Sequence, residues 1–248
     1  MLKTIIITLA GATIVGAAGI WYINTRVSPT LTLPAPAPTT LAPLAPAPPV
    51  ASPQPTAKTS LVLSIPFTPQ APTANWDELH NEACEEASAI MANAYFSGRR
   101  ESTLPAAYVE TEISKLTDWQ KQNFGYNLNT TGEETAKMIE AVYGLKTRII
   151  SNFTFDQIKQ ELEQNHVVII PEQGRLLGNP NYRQPGPVYH MLIIKGYDKA
   201  GVITNDSGTR RGLNYPYAFA TIYSAAGNWD HSSNSVDGSK KIAIIVSQ

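Results

Sequence analysis

The 248-residue chain has a single cysteine, Cys84, so no disulfide can close within it and no multi-cysteine zinc site can form. It also lacks a charge excess. Nineteen basic residues against 20 acidic ones leave a formal net charge of −1. Binding a phosphate backbone needs a basic surplus on some face, so nucleic acid is not expected as a partner. No internal repeat is visible. Histidine is scarce at four residues, so any imidazole chemistry must fall to His80, His166, His190 or His231.

Residues Thr4 to Ile23 are almost wholly apolar and follow Lys3. About 20 such residues span a bilayer core as a helix. Trp21, Tyr22 and Arg26 at the far end suit a headgroup boundary. A transmembrane anchor over residues 1–27, N-terminus inside, is therefore expected. The alternative is a signal peptide cleaved near Gly16-Ala17-Ala18, which would make the protein secreted. From Ser28 to about Thr59 the composition changes: ten of the 19 prolines lie here, and no charge occurs before Lys58. Proline fixes φ and removes a donor, so this stretch reads as a disordered, extended linker without a core. Residues 60–248 are long enough for one domain.

Helical spacing runs from Glu82 to Tyr95, with Asn81 as N-cap and Gly98 as the stop. Further helices are expected over Pro105 to Leu116, Thr131 to Tyr143 and Phe155 to Asn165. Thr131 and Glu134 stand at capping-box spacing, with Gly144 after the helix. Strand patterns follow at 147–150, 167–170, 188–195, 202–205 and 241–246. Helices first and strands later is an α+β arrangement, with helices packed on an antiparallel sheet.

Cys84 falls in the first turn of its helix, where unpaired N–H groups and the dipole favour thiolate over thiol. Glu85 and Glu86 lie beside it and oppose that ionisation. A cysteine nucleophile needs a base and a group to orient the base. His80, His166 and His231 sit in polar surroundings and read as solvated surface residues. His190 heads an apolar strand, where it is either a positioned base or a satisfied core histidine. Asp206 ends the next strand. If the turn between these strands has an odd loop or a bulge, Asp206 opposes Leu192 and becomes the diagonal neighbour of His190. A two-residue loop would put the two on opposite faces. The plainer alternative for Asp206 is a turn-initiating aspartate before Ser-Gly. The backbone N–H of Cys84 can serve an oxyanion, and Gln70 is a candidate second donor. The segment from Glu172 to Pro187 either lines a cleft or is a long surface loop.

Taken in order, Ile65-Pro-Phe-Thr-Pro-Gln70, Cys84-Glu85-Glu86-Ala87-Ser88, Tyr189-His190 with Gly196-Tyr197-Asp198, and Asn205-Asp206-Ser207-Gly208 through Gly212 resemble the C39-like cysteine peptidases of the papain-like superfamily. The resemblance spans about Leu63 to the C-terminus. It implies a papain-like fold, with Cys84 as nucleophile, His190 as general base and then acid, Asp206 as orienting carboxylate and Gln70 as oxyanion donor. The expected substrate is a peptide or protein, and no cofactor is expected; a metal site of Cys84, His190 and Asp206 is the weaker alternative, because nothing supplies a recognisable fourth ligand. Ser207 departs from the proline many relatives carry there. No transporter or ATPase segment accompanies the domain, which leaves the substrate open. A non-catalytic peptide- or cell-wall-binding module and a murein amidase or transpeptidase are the competing readings.

Overall fold

The computed structural model describes residues 58–248. The reading of residues 1–27 as an anchor, and that of 28–59 as a linker up to residue 57, lie outside the described residues. Among the described residues, no helix is long and apolar enough to cross a membrane.

The chain begins with a short strand, β1 (Leu61–Val62), and a single helical turn, α1 (Glu78–Asn81). Three longer helices follow: α2 (Cys84–Phe96), α3 (Ala106–Asn123) and α4 (Gly132–Tyr143). Then come β2 (Lys146–Ser151), α5 (Phe155–Glu163), β3 (Val167–Glu172), a 3-10 turn (Gly174–Leu177), β4 (His190–Tyr197) and β5 (Val202–Asn205). The chain closes with β6 (Tyr215–Tyr217), α6 (Phe219–Ala225), β7 (Asn228–Asp230), β8 (Ser235–Asp237) and β9 (Ile242–Ser247). An antiparallel sheet runs in the order β2-β9-β3-β4-β5-β6, with β1 paired to the far end of β4. β7 and β8 form a separate hairpin. The expected α+β class, helices on an antiparallel sheet, is what is found.

β3 and β4 are buried at every position. Both faces of the sheet centre are therefore covered, which explains their unbroken apolar runs, Val-Val-Ile-Ile and Met-Leu-Ile-Ile. α2 packs against β4. It is the central helix: ten of its 13 residues are buried, including Glu85 and Glu86. Its alanines at 87, 89, 92 and 94 let neighbours approach on every side.

Local chemistry sets most helix ends. Thr131 and Glu134 close a reciprocal capping box on α4, and Gly144 ends that helix at φ 68°, a left-handed conformation that costs glycine little. Thr154 and Gln157 do the same at the start of α5. Two expectations are corrected. Asn81 does not cap α2; it ends α1, and the Ala83 position before Cys84 has no side-chain cap. Asn81 instead donates its amide to the carbonyls of Trp76 and Asp77. α3 also runs well past Leu116, because Thr117 and Gln120 are buried and continue its inner face with polar side chains that an apolar pattern misses.

The β4–β5 hairpin decides the site. Tyr197 pairs with Val202 and Gly196 with Ile203, across an even loop. The register then shifts, and Ile194 pairs with Thr204 and Ile193 with Asn205. Lys195 is the extra residue. This bulge restores the register that an odd loop would have given, so Asp206 comes opposite Leu192 on the face of His190.

Candidate functional site

Asp206 is fully buried and accepts from five donors. His190 Nε2 (2.9 Å) and the Gly208 N–H (3.1 Å) reach Oδ1. Tyr182 Oη (2.7 Å), Tyr217 Oη (2.7 Å) and Asn179 Nδ2 (3.0 Å) reach Oδ2. Burial pushes its pKa up, but the His190 charge and these hydrogen bonds outweigh it, and the carboxyl sits below its ordinary range. An ionised carboxylate only accepts, so His190 Nε2 carries a proton, and whenever the ring is neutral its accepting nitrogen is Nδ1. Among the described residues Nδ1 has no hydrogen-bond partner.

Two glycines make this packing feasible. A Cβ on Gly208 would lie 2.9 Å from Tyr182 Cε1 and 3.0 Å from His190 Cε1. A Cβ on Gly212 would lie 1.7 Å from the Asp206 carbonyl oxygen, to which no side chain can be fitted.

Cys84 starts α2 and is 4% exposed. Its thiol donates to Glu85 Oε2 at 3.0 Å rather than to His190. Burial, followed by the charge of Glu85, pushes the thiol well above its usual range, while the Met191 N–H opposes the shift. The expected helix-start thiolate is thus corrected for this resting state: desolvation and a neighbouring carboxylate outweigh the dipole. Glu85 itself is raised from 4.5 to about 7 by burial. Glu86 is pushed well above the carboxylate range by burial and by Glu85. Glu85 Oε1 and both Glu86 oxygens are buried without a partner.

Gln70 is buried, and its backbone N–H donates to the Ser207 carbonyl, tying it to the loop after Asp206. Its Nε2 donates to the carbonyls of His80 (2.8 Å) and Asn81 (2.9 Å), which occupies both amide hydrogens. The segment leading to Gln70 is pinned from β4 and β5: Lys195 Nζ and Asn205 Nδ2 both donate to the Ile65 carbonyl. Burial lowers the Lys195 ammonium from 10.5 to about 8.

The other histidines do not all match expectation. His231 is exposed and His166 half-buried, each bonded to a glutamate. His80 is buried, clamped between Asp77 Oδ1 (2.7 Å) and Glu110 Oε2 (2.8 Å). Its carbonyl helps hold Gln70, so it belongs to the frame of the site and not to the solvated surface. Residues missed from sequence are Asn179, Tyr182 and Tyr217 around Asp206, and Glu172, a buried carboxyl paired directly across β3–β4 from His190.

Cys84, His190 and Gln70 line one cleft of about 1170 Å³. Residues from Pro180 to Tyr189 form part of its wall, so the second half of the Glu172–Pro187 segment lines a cleft rather than idling on the surface. Trp76 and Trp229 add aromatic surface.

Residues 62–236 match a family model described as the Peptidase_C39 like family. Among solved structures, a candidate C39-like peptidase from Bacillus anthracis is 13% identical, with 77% of this chain and 98% of that chain covered at a TM-score of 0.49. A comparison with curated proteins finds no match.

Proposed function

The chain belongs to the Peptidase_C39 like family, and from that premise we propose that it is a papain-like cysteine peptidase that hydrolyses peptide bonds through Cys84, His190 and Asp206. The observation that carries this reading is the shared cleft: Cys84 and His190 line it together, and His190 is held by an ionised Asp206 through Nε2, leaving Nδ1 as the accepting nitrogen. In the proposed reaction Nδ1 takes the thiol proton and sulfur attacks the substrate carbonyl carbon. The Cys84 N–H, unpaired at the helix start, receives the developing oxyanion. Gln70 joins it when one amide hydrogen turns from the Asn81 or His80 carbonyl to the oxyanion. His190 then returns the proton to the leaving amine as the C–N bond breaks. Water, deprotonated by the same nitrogen, hydrolyses the thioester.

Two measurements test this. Trapping the acyl-enzyme and weighing it by mass spectrometry should find an acyl group on Cys84. Iodoacetamide labelling of Cys84 as a function of pH should differ between wild type and His190→Ala; identical, unshifted profiles would remove the activated-thiol mechanism. A transpeptidase or murein amidase would give the same adduct with a different acyl group or acceptor. One observation favours a binding module instead, namely that the resting thiol donates to Glu85. Under that reading Cys84→Ala binds peptides as wild type does, and no library member is cut.

The apolar run from Thr4 to Ile23 and the proline-rich stretch after it support a further part of the proposal. The peptidase domain, residues 60–248, would work outside the cytoplasm on a membrane tether, or be secreted if the apolar run is cleaved, acting on peptide or protein substrates.

A further inference from the structure

The cleft is lined by charge of both signs, separated by chain segment. Glu78 and Glu82 come from the stretch that leads into Cys84. Arg183, Arg210 and Arg211 come from the two loops that hold His190 and Asp206. Those three arginines are exposed. Among the described residues, the arginines engaged in ion pairs are Arg99 and Arg148, neither of which lines the cleft. One of the three, Arg211, is also anchored. Arg211 has its N–H on Thr209 Oγ1 and its guanidinium 3.5 Å from Asn181 Oδ1. Asn181 donates twice to Asn179 Oδ1, and Asn179 donates to Asp206. Arg211 and the carboxylate behind His190 therefore share one hydrogen-bonded support.

We infer that this cleft selects an acidic peptide, whose carboxylates lie against Arg183, Arg210 and Arg211, the three arginines outweighing Glu78 and Glu82 on the opposite segment. This rests on the peptidase reading and names its substrate class. Guanidinium groups match carboxylates in a planar, two-bond geometry, which a lysine wall would not offer. Charges at the rim of a site act mainly on association and discrimination, and they are screened by salt.

The test uses the full-length chain and three peptide libraries of equal length, enriched in Asp/Glu, in Ala/Gln or in Lys/Arg. Binding to Cys84→Ala protein is read from tryptophan fluorescence, since Trp76 and Trp229 line the cleft. Turnover is read with the Cys84 enzyme. The acidic library should bind about tenfold more tightly than the neutral one at low salt and lose that advantage at high salt. Arg210→Glu/Arg211→Glu should reverse the preference, whereas Lys121→Glu, a charge change on α3 away from the cleft, should not. Equal binding of all libraries, or equal effects of the two charge changes, would overturn the inference. The peptidase reading fails separately: if nothing is cut, the binding arm still reports charge preference, and if peptides are cut without charge preference, only the inference falls.

Discussion

The two walls of the candidate site treat their carboxyl groups in opposite ways. Behind His190, Asp206 receives five donors and is held ionised. Beside Cys84, Glu85 and Glu86 are equally buried, yet three of their four oxygens have no partner and both are pushed toward the neutral acid. In the proposed reaction the base side is thus organised in its charged form before substrate arrives. The nucleophile side is organised in its neutral form, so in that reaction the cost of making the thiolate falls on the catalytic step. The two also differ in sign with pH. A depressed carboxyl such as Asp206 stabilises the fold above its ordinary pKa, and that contribution is lost as pH falls through the folded value. A raised one such as Glu85 keeps its proton in the folded state between 4.5 and about 7, so its contribution erodes as pH rises through that window.

Substitutions on either wall sharpen this contrast. The largest effect is expected from Asp206→Asn. It keeps the shape but removes the charge that fixes the His190 tautomer, and kcat/KM toward any cleaved peptide should fall by about 10³–10⁴-fold with the circular dichroism spectrum retained. A loss under tenfold would break the idea of a preorganised base. Glu85→Gln comes next. At pH 8 it should stabilise the protein in urea unfolding by about 3 kcal/mol, with the gain vanishing near pH 4 where both states are protonated. The same variant should speed alkylation of Cys84 at fixed pH, by about tenfold for each pKa unit released. A stability gain that does not depend on pH would instead point to packing. The smallest effect is expected from Gly208→Ala, whose methyl presses on the edge of the His190 ring. It should cost about 1 kcal/mol in kcat, roughly fivefold, with KM little changed.

Much of the architecture was legible because the periodic segments are long. The patterns that place α2, α4, α5, β3 and β9 leave little room for other assignments. α1, α6 and β6 through β8 are too short to carry a period, and α3 hides its last turns behind buried polar residues. At the site, Cys84, His190, Asp206 and Gln70 could be nominated because each stands in a recognisable phrase. Their partners could not. Asn179 and Tyr182 reach Asp206 only because the loop before β4 folds back, and His80 is buried only because Glu110, thirty residues on, closes over it. The sequence displays the charges of Glu85 and Glu86 but not that the helix bearing them lies at the centre of the molecule.

The bulge at Lys195 works as a frame marker. Most hairpins find their alignment because one face is oily and the other wet, so a slip by one residue is punished at once. β4 is buried on both faces, and sliding it would exchange one apolar row for another. What identifies the correct frame is the one charged side chain between His190 and Tyr197, Lys195, which has its acceptor at Ile65, on the segment that carries Gln70. Pairing that one residue into the ladder, in place of bulging it out, would leave the strand as greasy as before and turn Asp206 away from His190. Within this hairpin, alignment is encoded by one insertion and one ammonium group, and not by the hydrophobic residues around them.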